Sequence, residues 1–255
     1  MKILSYNTNG IRSALNKGLT TFLEAGNYDI VCIQETKASR EQVDHEGLIQ
    51  LGYAHHHWVS AEKKGYSGVA IFSKVEPDLV VEGMGIPRYD SEGRVIRADF
   101  GDWTLINVYF PSGTSGDERQ AVKMDFLSDI YDWVAELKKT RPKIILVGDY
   151  NIAHTELDIH SPKTNQKTSG FLPEERAWMT KWFGSGFTDA FRYKNPTLQE
   201  YSWWSTRFNS RASNKGWRID YQSVTDNMKD KIISCRQLNE AVHSDHCPVL
   251  LEIDL

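Results

Sequence analysis

The segment KIILVGDYNIAH, residues 143–154, decides the fold class and contains the first candidate functional residues. Its apolar half is typical of a buried strand, and this strand runs directly into Asp149 and Asn151. Side chains two positions apart in an extended chain point to the same face, so a carboxylate and an amide are expected together where the strand leaves its sheet. In α/β proteins this is a common place for ligands.

The N-terminal segment KILSYNTNG, residues 2–10, repeats the arrangement with Asn7 and Asn9 at the end of another apolar strand. Either segment alone is interpreted equally well as a strand followed by an ordinary turn, because Asn and Asp are common turn formers. Two strands that both deliver such pairs favour one oxygen-rich site.

The rest of the chain combines hairpin-like strands with helices. Two strands within residues 93–110 flank a two-residue loop that begins with Gly101, the favoured residue there. Helical spacing predicts one helix that ends at Gly26, another from Glu41 to Leu51, and a long helix from Ala121 to Leu137. Strands mostly in hairpins, with helices between groups of them, favour packed sheets covered by helices over a wholly parallel sheet.

Composition sets mild bounds on the class of protein. A chain of 255 residues with 40% hydrophobic residues can bury a sizeable core, and we expect a single domain over residues 1–255. No stretch approaches the ~18 apolar residues of a membrane span, and the N-terminus becomes polar by Asn7, so an intracellular protein without membrane contact is predicted. The net charge of −4 requires any polyanion to be bound by locally concentrated positive charge.

Cysteine and histidine patterns do not indicate a zinc site. Cys32, Cys235 and Cys247 lack CxxC spacing and are interpreted as buried, reduced residues. The run His55–His57 resembles a metal tract, but strand alternation sends the middle histidine to the opposite face, so a solvated strand is predicted.

Four acidic residues arrive at strand ends, beside one histidine: Glu35, Asp149, Asp220 and Asp245, with His246. Carboxylates gathered in a core without cations would each cost several kcal/mol in desolvation and repulsion, and a divalent cation removes that cost. Oxygen ligands favour Mg²⁺ or Mn²⁺ over zinc. Taken singly, Glu35 or Asp220 is equally well interpreted as a cap on a backbone amide, and His246 alone is more simply a structural residue.

Five separated motifs carry a family resemblance: CIQETK, NVYFPSG, GDYNIAH, NKGWRIDY and SDHCPV, in this order along the whole chain. Together they resemble the exonuclease III family of apurinic/apyrimidinic (AP) endonucleases, within the deoxyribonuclease I-like superfamily. The resemblance implies a four-layer α/β sandwich, with two mainly antiparallel or mixed sheets face to face and helices outside. It also implies Mg²⁺-dependent hydrolysis of phosphodiesters at damaged DNA.

The resemblance assigns a metal site to five residues. Glu35 matches the principal ligand, Asn7 and Asp245 line the same cation site, and Asp149 and Asn151 face it. Asp149 also matches the carboxylate that activates water or protonates the leaving oxygen, and Asn151 the amide that donates to phosphate. At the position of Asn9 many relatives carry a carboxylate, so this sequence has one fewer charged ligand there.

Further catalytic roles follow from the same resemblance. His246, oriented by Asp220, matches a His–Asp pair in which the carboxylate favours the charged imidazole. Tyr109 matches a tyrosine against the phosphate, either as a phenol donor or, if its pKa is lowered, as a group that helps to activate water. Ser112 corresponds to a variable polar position near phosphate. The identity of the general base stays open among Asp149, His246 and Tyr109.

A basic and aromatic stretch before Asp220 predicts DNA binding. Arg207, Arg211, Lys215 and Arg218 occur without an acid among them, and Trp203 and Trp204 precede them. Without the resemblance, this stretch is more simply a solvated loop with two buried tryptophans. With it, we expect Arg211 to contact DNA and Trp203, Trp217 and Ile219 to wall a pocket for a flipped sugar. The polar loop of residues 161–170 is expected to border the DNA.

The predicted enzyme cleaves the DNA backbone 5′ to AP sites, with 3′–5′ exonuclease and 3′-phosphatase or phosphodiesterase activity in base excision repair. Its expected partner is double-stranded DNA with abasic sites or blocked 3′ ends, and the expected state is a cytoplasmic monomer, nucleoid-associated if bacterial. The alternatives are a phosphatase acting on inositol phosphates, a sphingomyelinase, and a non-enzymatic DNA-binding module. The module would lack at least one candidate catalytic residue, and none is lacking here.

Overall fold

The computed structural model describes residues 1–255 and contains two six-stranded sheets. The strands of the first sheet are β1 (Lys2–Asn7), β2 (Ile30–Gln34), β3 (His55–Val59), β4 (Val69–Ser73), β13 (Ile232–Gln237) and β14 (Val249–Ile253). Their order is β13-β14-β1-β2-β4-β3, and only β1 and β2 run parallel. The sheet is therefore mixed.

The second sheet is also mixed. Its strands are β5 (Leu79–Glu82), β6 (Val95–Phe100), β7 (Trp103–Tyr109), β8 (Ile144–Asp149), β9 (Phe187–Asp189) and β12 (Asp220–Thr225). Their order is β5-β6-β7-β8-β12-β9, and only β7 and β8 run parallel. A separate small hairpin joins β10 (Trp203–Trp204) to β11 (Gly216–Trp217). The loop of residues 205–215 connects these two short strands.

Helices connect and cover the sheets. The α-helices are α1 (Ile11–Asn16), α2 (Leu19–Gly26), α3 (Glu46–Gln50), α4 (Pro87–Asp90), α5 (Asp117–Lys138), α6 (Pro173–Gly184) and α7 (Ala190–Lys194). Short 3₁₀ helices cover Arg40–Gln42, Glu156–Asp158 and Asp226–Lys231. None of the helices has the length and apolar content that crossing a membrane requires.

Strand alternation separates the cores of the molecule. In β8, Ile145 and Val147 belong to the core between the two sheets, whereas Ile144 and Leu146 pack with residues of α5 and α6. In β1, Leu4 packs outward among residues of α1, α2 and α3. The order of layers is thus helices, sheet, sheet, helices. This confirms the predicted four-layer α/β sandwich.

Two predicted helices are interrupted. The helix predicted to end at Gly26 is two helices, because Gly18 adopts φ +92° between α1 and α2. The helix predicted from Glu41 to Leu51 is a 3₁₀ turn followed by the short α3. Apolar periodicity continues across both breaks, so it did not reveal the change of direction.

The prediction of a solvated strand is wrong for His56. Its ring is buried against Phe72, with ring centroids 5.1 Å apart, and its Nε2 lies 2.7 Å from the carbonyl oxygen of Tyr53. Alternation does send His56 to the other face of the strand, but α3 and its preceding loop cover that face. The three cysteines are free and buried, as predicted.

Arg218 also differs from its expected place in a basic loop. Its guanidinium is fully buried and lies 2.7 Å from Asp158 Oδ1 and 2.7 Å from Asp189 Oδ2. The plane stacks over the ring of Tyr221, 4.4 Å from its centroid. These contacts fix the short segment that joins the β10–β11 hairpin to β12.

We predict that Arg218→Met lowers the free energy of unfolding by about 3–5 kcal/mol, because it leaves two buried carboxylates without their shared partner. Urea unfolding measures the change. The control is Arg88→Met, which breaks an exposed pair with Asp125 and Asp129 and should change stability by no more than about 1 kcal/mol. Equal losses in the two variants would contradict a stabilising role for the buried network.

Candidate active site

The site begins with inner-face residues at one end of the sandwich. Tyr109 at the end of β7 pairs in register with Asp149 at the end of β8, and Asp149 pairs with Asp220 at the start of β12. Asn7 at the end of β1 reaches the same place from the other sheet, since its Nδ2 lies 2.8 Å from Asp149 Oδ2. The sheet register thus brings together residues that are far apart in sequence.

Glu35 joins this group through an unusual backbone conformation. Strand alternation places Glu35 with Val31 and Ile33, whose side chains face the outer helices. The backbone of Glu35 instead turns into the left-handed region, with φ +50°. Its Oε1 then accepts a hydrogen bond of 2.8 Å from Asn7 Nδ2. Asn7 therefore bridges Glu35 and Asp149.

The end of β8 places Asn151 next to Asp149. Strands β7 and β8 approach so closely that a Cβ on Gly148 would lie 1.8 Å from the carbonyl oxygen of Val108. Asn151 has φ +54°, its backbone N–H donates to Asp149 Oδ1 over 2.8 Å, and its Nδ2 donates to the Phe110 carbonyl over 2.9 Å. The predicted amide and carboxylate pair is present with a fixed geometry.

His246 is held between two carboxylates. Its Nδ1 lies 2.9 Å from Asp220 Oδ2, and its Nε2 lies 3.9 Å from Asp149 Oδ2. Ser202, which the sequence did not single out, donates to Asp220 Oδ2 over 2.6 Å and accepts the backbone N–H groups of Ile219 and Asp220. Ser202 thereby orients the carboxylate that orients the imidazole.

The carboxylates favour a charged imidazole. Burial acts against the charged form of His246, but Asp220, Asp149 and Asp245 outweigh burial and raise its pKa to about 10. Burial and the charge of Asp220 raise the pKa of Asp149 well above its ordinary value. His246 is therefore held as an imidazolium, and the pKa of Asp149 is moved toward neutrality.

Tyr109 is held as a neutral phenol. Burial, followed by the charges of Glu35 and Asp149, raises the pKa of Tyr109 well above its ordinary value. Arg94 opposes this shift, with its guanidinium 4.9 Å from the ring centroid. The raised pKa keeps the hydroxyl of Tyr109 protonated. Of its two predicted roles, hydrogen-bond donation to the phosphate is therefore favoured over activation of water.

The open side of the site carries Asp245, Asn9 and Lys37. Asp245 accepts hydrogen bonds from Asn9 Nδ2 over 2.9 Å and from Trp203 Nε1 over 3.0 Å. Lys37 Nζ lies 2.8 Å from Glu35 Oε2 and also donates to Asn9 Oδ1. Lys37 belongs to the CIQETK motif but was not recognised as a site residue. Its ammonium partly balances the charge of Glu35.

The donor set fits a divalent cation. Side-chain atoms of Glu35, Asp149 and His246 lie within 4.8 Å of one another. The two carboxylates are the metal-binding groups among them, because the imidazolium has no free nitrogen lone pair. The raised pKa of Asp149 reflects negative charge that the protein alone does not balance. A cation held here would relieve that repulsion.

A cavity of about 270 Å³ lies above these groups. Most of the predicted site residues line it: Glu35, Tyr109, Ser112, Asp149, Asn151, Trp203, Trp217, Ile219, Asp245 and His246. The rings of Trp203 and Trp217 meet edge to face, with centroids 6.1 Å apart, and form one wall with Ile219. The cavity combines a charged floor with an aromatic wall.

Three predicted residues lie outside the cavity lining. Asn7 and Asp220 are buried behind it and act on the residues that line it. The guanidinium of Arg211 donates to the carbonyl oxygens of Ser244 and Asn239 over 2.9 and 3.0 Å and stacks on Trp204. The structure therefore places Arg211 against the segment that precedes Asp245.

Polar residues that motif analysis did not assign complete the lining: Thr114, Thr168, Ser169 and Gly170. The last three belong to the loop of residues 161–170, for which only a border position was predicted. Gly170 adopts φ +95°, and a Cβ there would lie 2.9 Å from the ring of Trp217. In the sequence, the sign of this turn was a glycine directly before Phe171, Leu172 and Pro173.

Known nucleases resemble this protein in sequence along the whole chain. A family model described as the Endonuclease/Exonuclease/phosphatase family matches residues 4–246. The chain belongs to this family. The exodeoxyribonuclease of Bacillus subtilis (strain 168) is 40% identical over 257 residues, which cover 100% of both chains. The DNA-(apurinic or apyrimidinic site) endonuclease of Dictyostelium discoideum is 37% identical over 259 residues, which cover 100% of this chain and 71% of that protein.

Solved structures of the family share the fold over the whole chain. An AP endonuclease from Archaeoglobus fulgidus superposes with a TM-score of 0.90 at 30% identity and full coverage of both chains. A 3′-5′ exonuclease from Neisseria meningitidis superposes with a TM-score of 0.92 at 28% identity, again with full coverage. The predicted resemblance to the exonuclease III family is confirmed.

We predict that Glu35→Gln raises the Mg²⁺ concentration needed for half-maximal activity by about 10-fold or more, since it keeps the size but removes the charge at the donor set. A metal titration of the hydrolytic rate measures this. Glu136→Gln changes an exposed glutamate paired only with Lys139 and serves as the control. A Glu35→Gln titration that coincides with that of the control would exclude Glu35 as a ligand.

Proposed function

We propose that this protein is a Mg²⁺-dependent DNA-repair phosphodiesterase that cleaves the DNA backbone 5′ to AP sites. The main support for this activity is that Glu35, Asp149 and His246 converge beneath a cavity with an aromatic wall. Family membership and the names of the relatives support a nuclease acting on DNA phosphodiester bonds. One structural neighbour is described as a 3′ phosphatase bound to a product DNA hairpin, which supports an additional 3′-phosphatase activity.

The divalent cation, when bound, would neutralise phosphate oxygens and favour ionisation of a nearby water. Glu35, Asp149 and Asp245 are the residues proposed to hold it, and Mg²⁺ or Mn²⁺ suits their oxygens. Asn7, whose Nδ2 donates to both Glu35 and Asp149, is proposed to line the same cation site. Asn151 faces the same site.

Each lining residue then has a chemical role. The imidazolium of His246 stabilises charge on a non-bridging phosphate oxygen, and the phenol of Tyr109 and the amide of Asn151 donate hydrogen bonds to the same group. Asp149 accepts a proton from the attacking water as the new O–P bond forms. The bond between phosphorus and the 3′ oxygen breaks, and the leaving 3′ oxygen takes a proton from solvent water. The products are a 3′-hydroxyl and a 5′-deoxyribose phosphate.

The aromatic wall accounts for the substrate. An abasic sugar carries no base to stack in the duplex, so its extrusion costs little, and Trp203, Trp217 and Ile219 offer an apolar surface to the flipped ring. The hydroxyl groups of Ser112, Thr114 and Thr168 line the cavity and are proposed to meet the DNA backbone of the substrate. DNA contact by Arg211, the monomeric state, the single domain and a cytoplasmic location stay predictions.

The direct test compares substrates under one set of conditions. Purified protein with Mg²⁺ is given an AP-site duplex, an intact duplex, a duplex with a 3′-phosphate, and an inositol polyphosphate. Preferential incision 5′ to the AP site, abolished by EDTA and restored by Mg²⁺, is expected. Hydrolysis of the inositol polyphosphate with no DNA cleavage would replace the proposal with the phosphatase alternative, and binding of DNA without cleavage would favour the non-enzymatic module.

We predict that Asp149→Asn preserves the fold but lowers the rate on every DNA substrate by about 10²–10⁴-fold, because the amide cannot transfer a proton. Circular dichroism and thermal unfolding establish that the variant is folded. Asp102→Asn, which alters an exposed loop carboxylate, is the matched control and should retain its rate. Near-normal turnover by Asp149→Asn would remove this residue from the mechanism.

A second pair of variants separates substrate capture from chemistry. Trp217→Ala should reduce the ratio of rates on abasic and intact DNA, because it removes part of the sugar wall. Asp220→Ala should slow cleavage of both substrates alike, because it releases His246. Rates are measured beside urea unfolding. A destabilised Trp217→Ala protein with an unchanged ratio would show that Trp217 is only a packing residue.

A further inference from the structure

A buried ion pair lies behind the cavity and has no part in the chemistry described so far. Lys123 on α5 and Glu175 on α6 are both fully buried, and their charged atoms are 2.6 Å apart. Lysine is almost never fully buried unless it is paired. A hydrophobic pair of similar volume is often as stable as a buried ion pair, so stability alone does not account for this one.

Lys123 connects the pair to Asn151. Its Nζ donates to the Asn151 carbonyl oxygen over 2.8 Å. Asn151 adopts the left-handed region, at φ +54°, which asparagine enters more readily than most other residues. The hydrogen bonds to Asp149 and Phe110 fix its N–H and its side chain. Lys123 fixes its carbonyl group.

Glu175 connects the pair to the neighbouring loop at the edge of the cavity. Its Oε2 accepts the backbone N–H groups of Gly170 and Leu172 over 2.6 and 3.0 Å. Gln120 donates to Glu175 Oε1 over 3.1 Å and accepts a hydrogen bond of 2.7 Å from Ser169 Oγ. Ser169 and Gly170 line the cavity, so these contacts set one of its edges.

We propose that the Lys123–Glu175 pair is a positioning device that holds Asn151 and the Ser169–Gly170 edge of the cavity in a single arrangement. The proposal rests on the proposed function, because it assigns the pair to the same hydrolytic site. Neither side chain lines the cavity, so both act through the residues they hold. Since Asn151 is assigned to charge that develops during reaction, loss of the pair should lower kcat more than it changes KM.

The single variant Lys123→Met is unsuitable alone, because it leaves the carboxylate of Glu175 buried without its partner. The double variant Lys123→Met/Glu175→Gln removes both charges together. Its glutamine oxygen can still accept the two backbone N–H groups, whereas the Asn151 carbonyl loses its donor. The matched control is Lys139→Met/Glu136→Gln, the same chemical changes in an exposed pair at the end of α5.

The experiment measures kcat, KM and the Mg²⁺ midpoint on an AP-site duplex, together with amide hydrogen exchange. For the buried double variant we expect kcat to fall by about 10–100-fold and KM to change by less than about 3-fold. The Mg²⁺ concentration that gives half-maximal activity, which is the Mg²⁺ midpoint, should stay unchanged. Exchange should become faster in residues 150–153 and 168–172 and stay unchanged in the sheets. The exposed double variant should match the parent protein in every measurement.

Two results would overturn the proposal and leave the proposed function intact. One is that the buried double variant is folded and its kcat equals that of the parent protein. The other is that its KM rises and its amide hydrogen exchange becomes faster throughout the protein. If the parent protein cleaves no DNA substrate, the proposed function fails instead. Hydrogen exchange then decides the positioning role by itself, because unchanged exchange in residues 150–153 and 168–172 would refute it.

Discussion

Electrostatic repulsion among carboxylates at one end of the sandwich is the constraint on which the site depends. The register of β7, β8 and β12 brings Asp149 and Asp220 together on the inner face, and a left-handed turn adds Glu35. Burial and these neighbouring charges raise the pKa of Asp149, and the carboxylates keep His246 protonated despite its burial. The imidazolium and the ammonium of Lys37 offset part of this negative charge, and the remainder defines a place for a divalent cation.

A rigid polar interior keeps these charges in place. Asn107 donates across the space between the sheets to the carbonyl oxygens of Ile33 and Ala70, and Gln34 reaches back to Asn107. Gln222 makes similar contacts with the first sheet. Because buried amides lose free energy when their partners move, these bonds fix the relative positions of the two sheets. The scaffold therefore preorganises the strand-end residues of the site.

Much of this arrangement was predictable from sequence because strand alternation is a local property. It placed Asp149 with Asn151, strand-end positions singled out Glu35, Asp220 and His246, and the family motifs added the role of Tyr109. The remainder depends on contacts between distant segments. No local pattern distinguishes Arg218, buried against two aspartates, from a basic loop residue, or marks Ser202 as the group that holds Asp220. The burial of His56 similarly depends on the helix that covers its strand.

Anomalous diffraction from crystals soaked in Mn²⁺ tests most directly whether the convergent carboxylates form a cation site. Mn²⁺ prefers the same oxygen donors as Mg²⁺ and scatters anomalously. We predict an anomalous peak about 2.0–2.2 Å from a carboxylate oxygen of Glu35, on the side that faces Asp149. At a saturating Mn²⁺ concentration, a peak elsewhere and none beside Glu35 would contradict it.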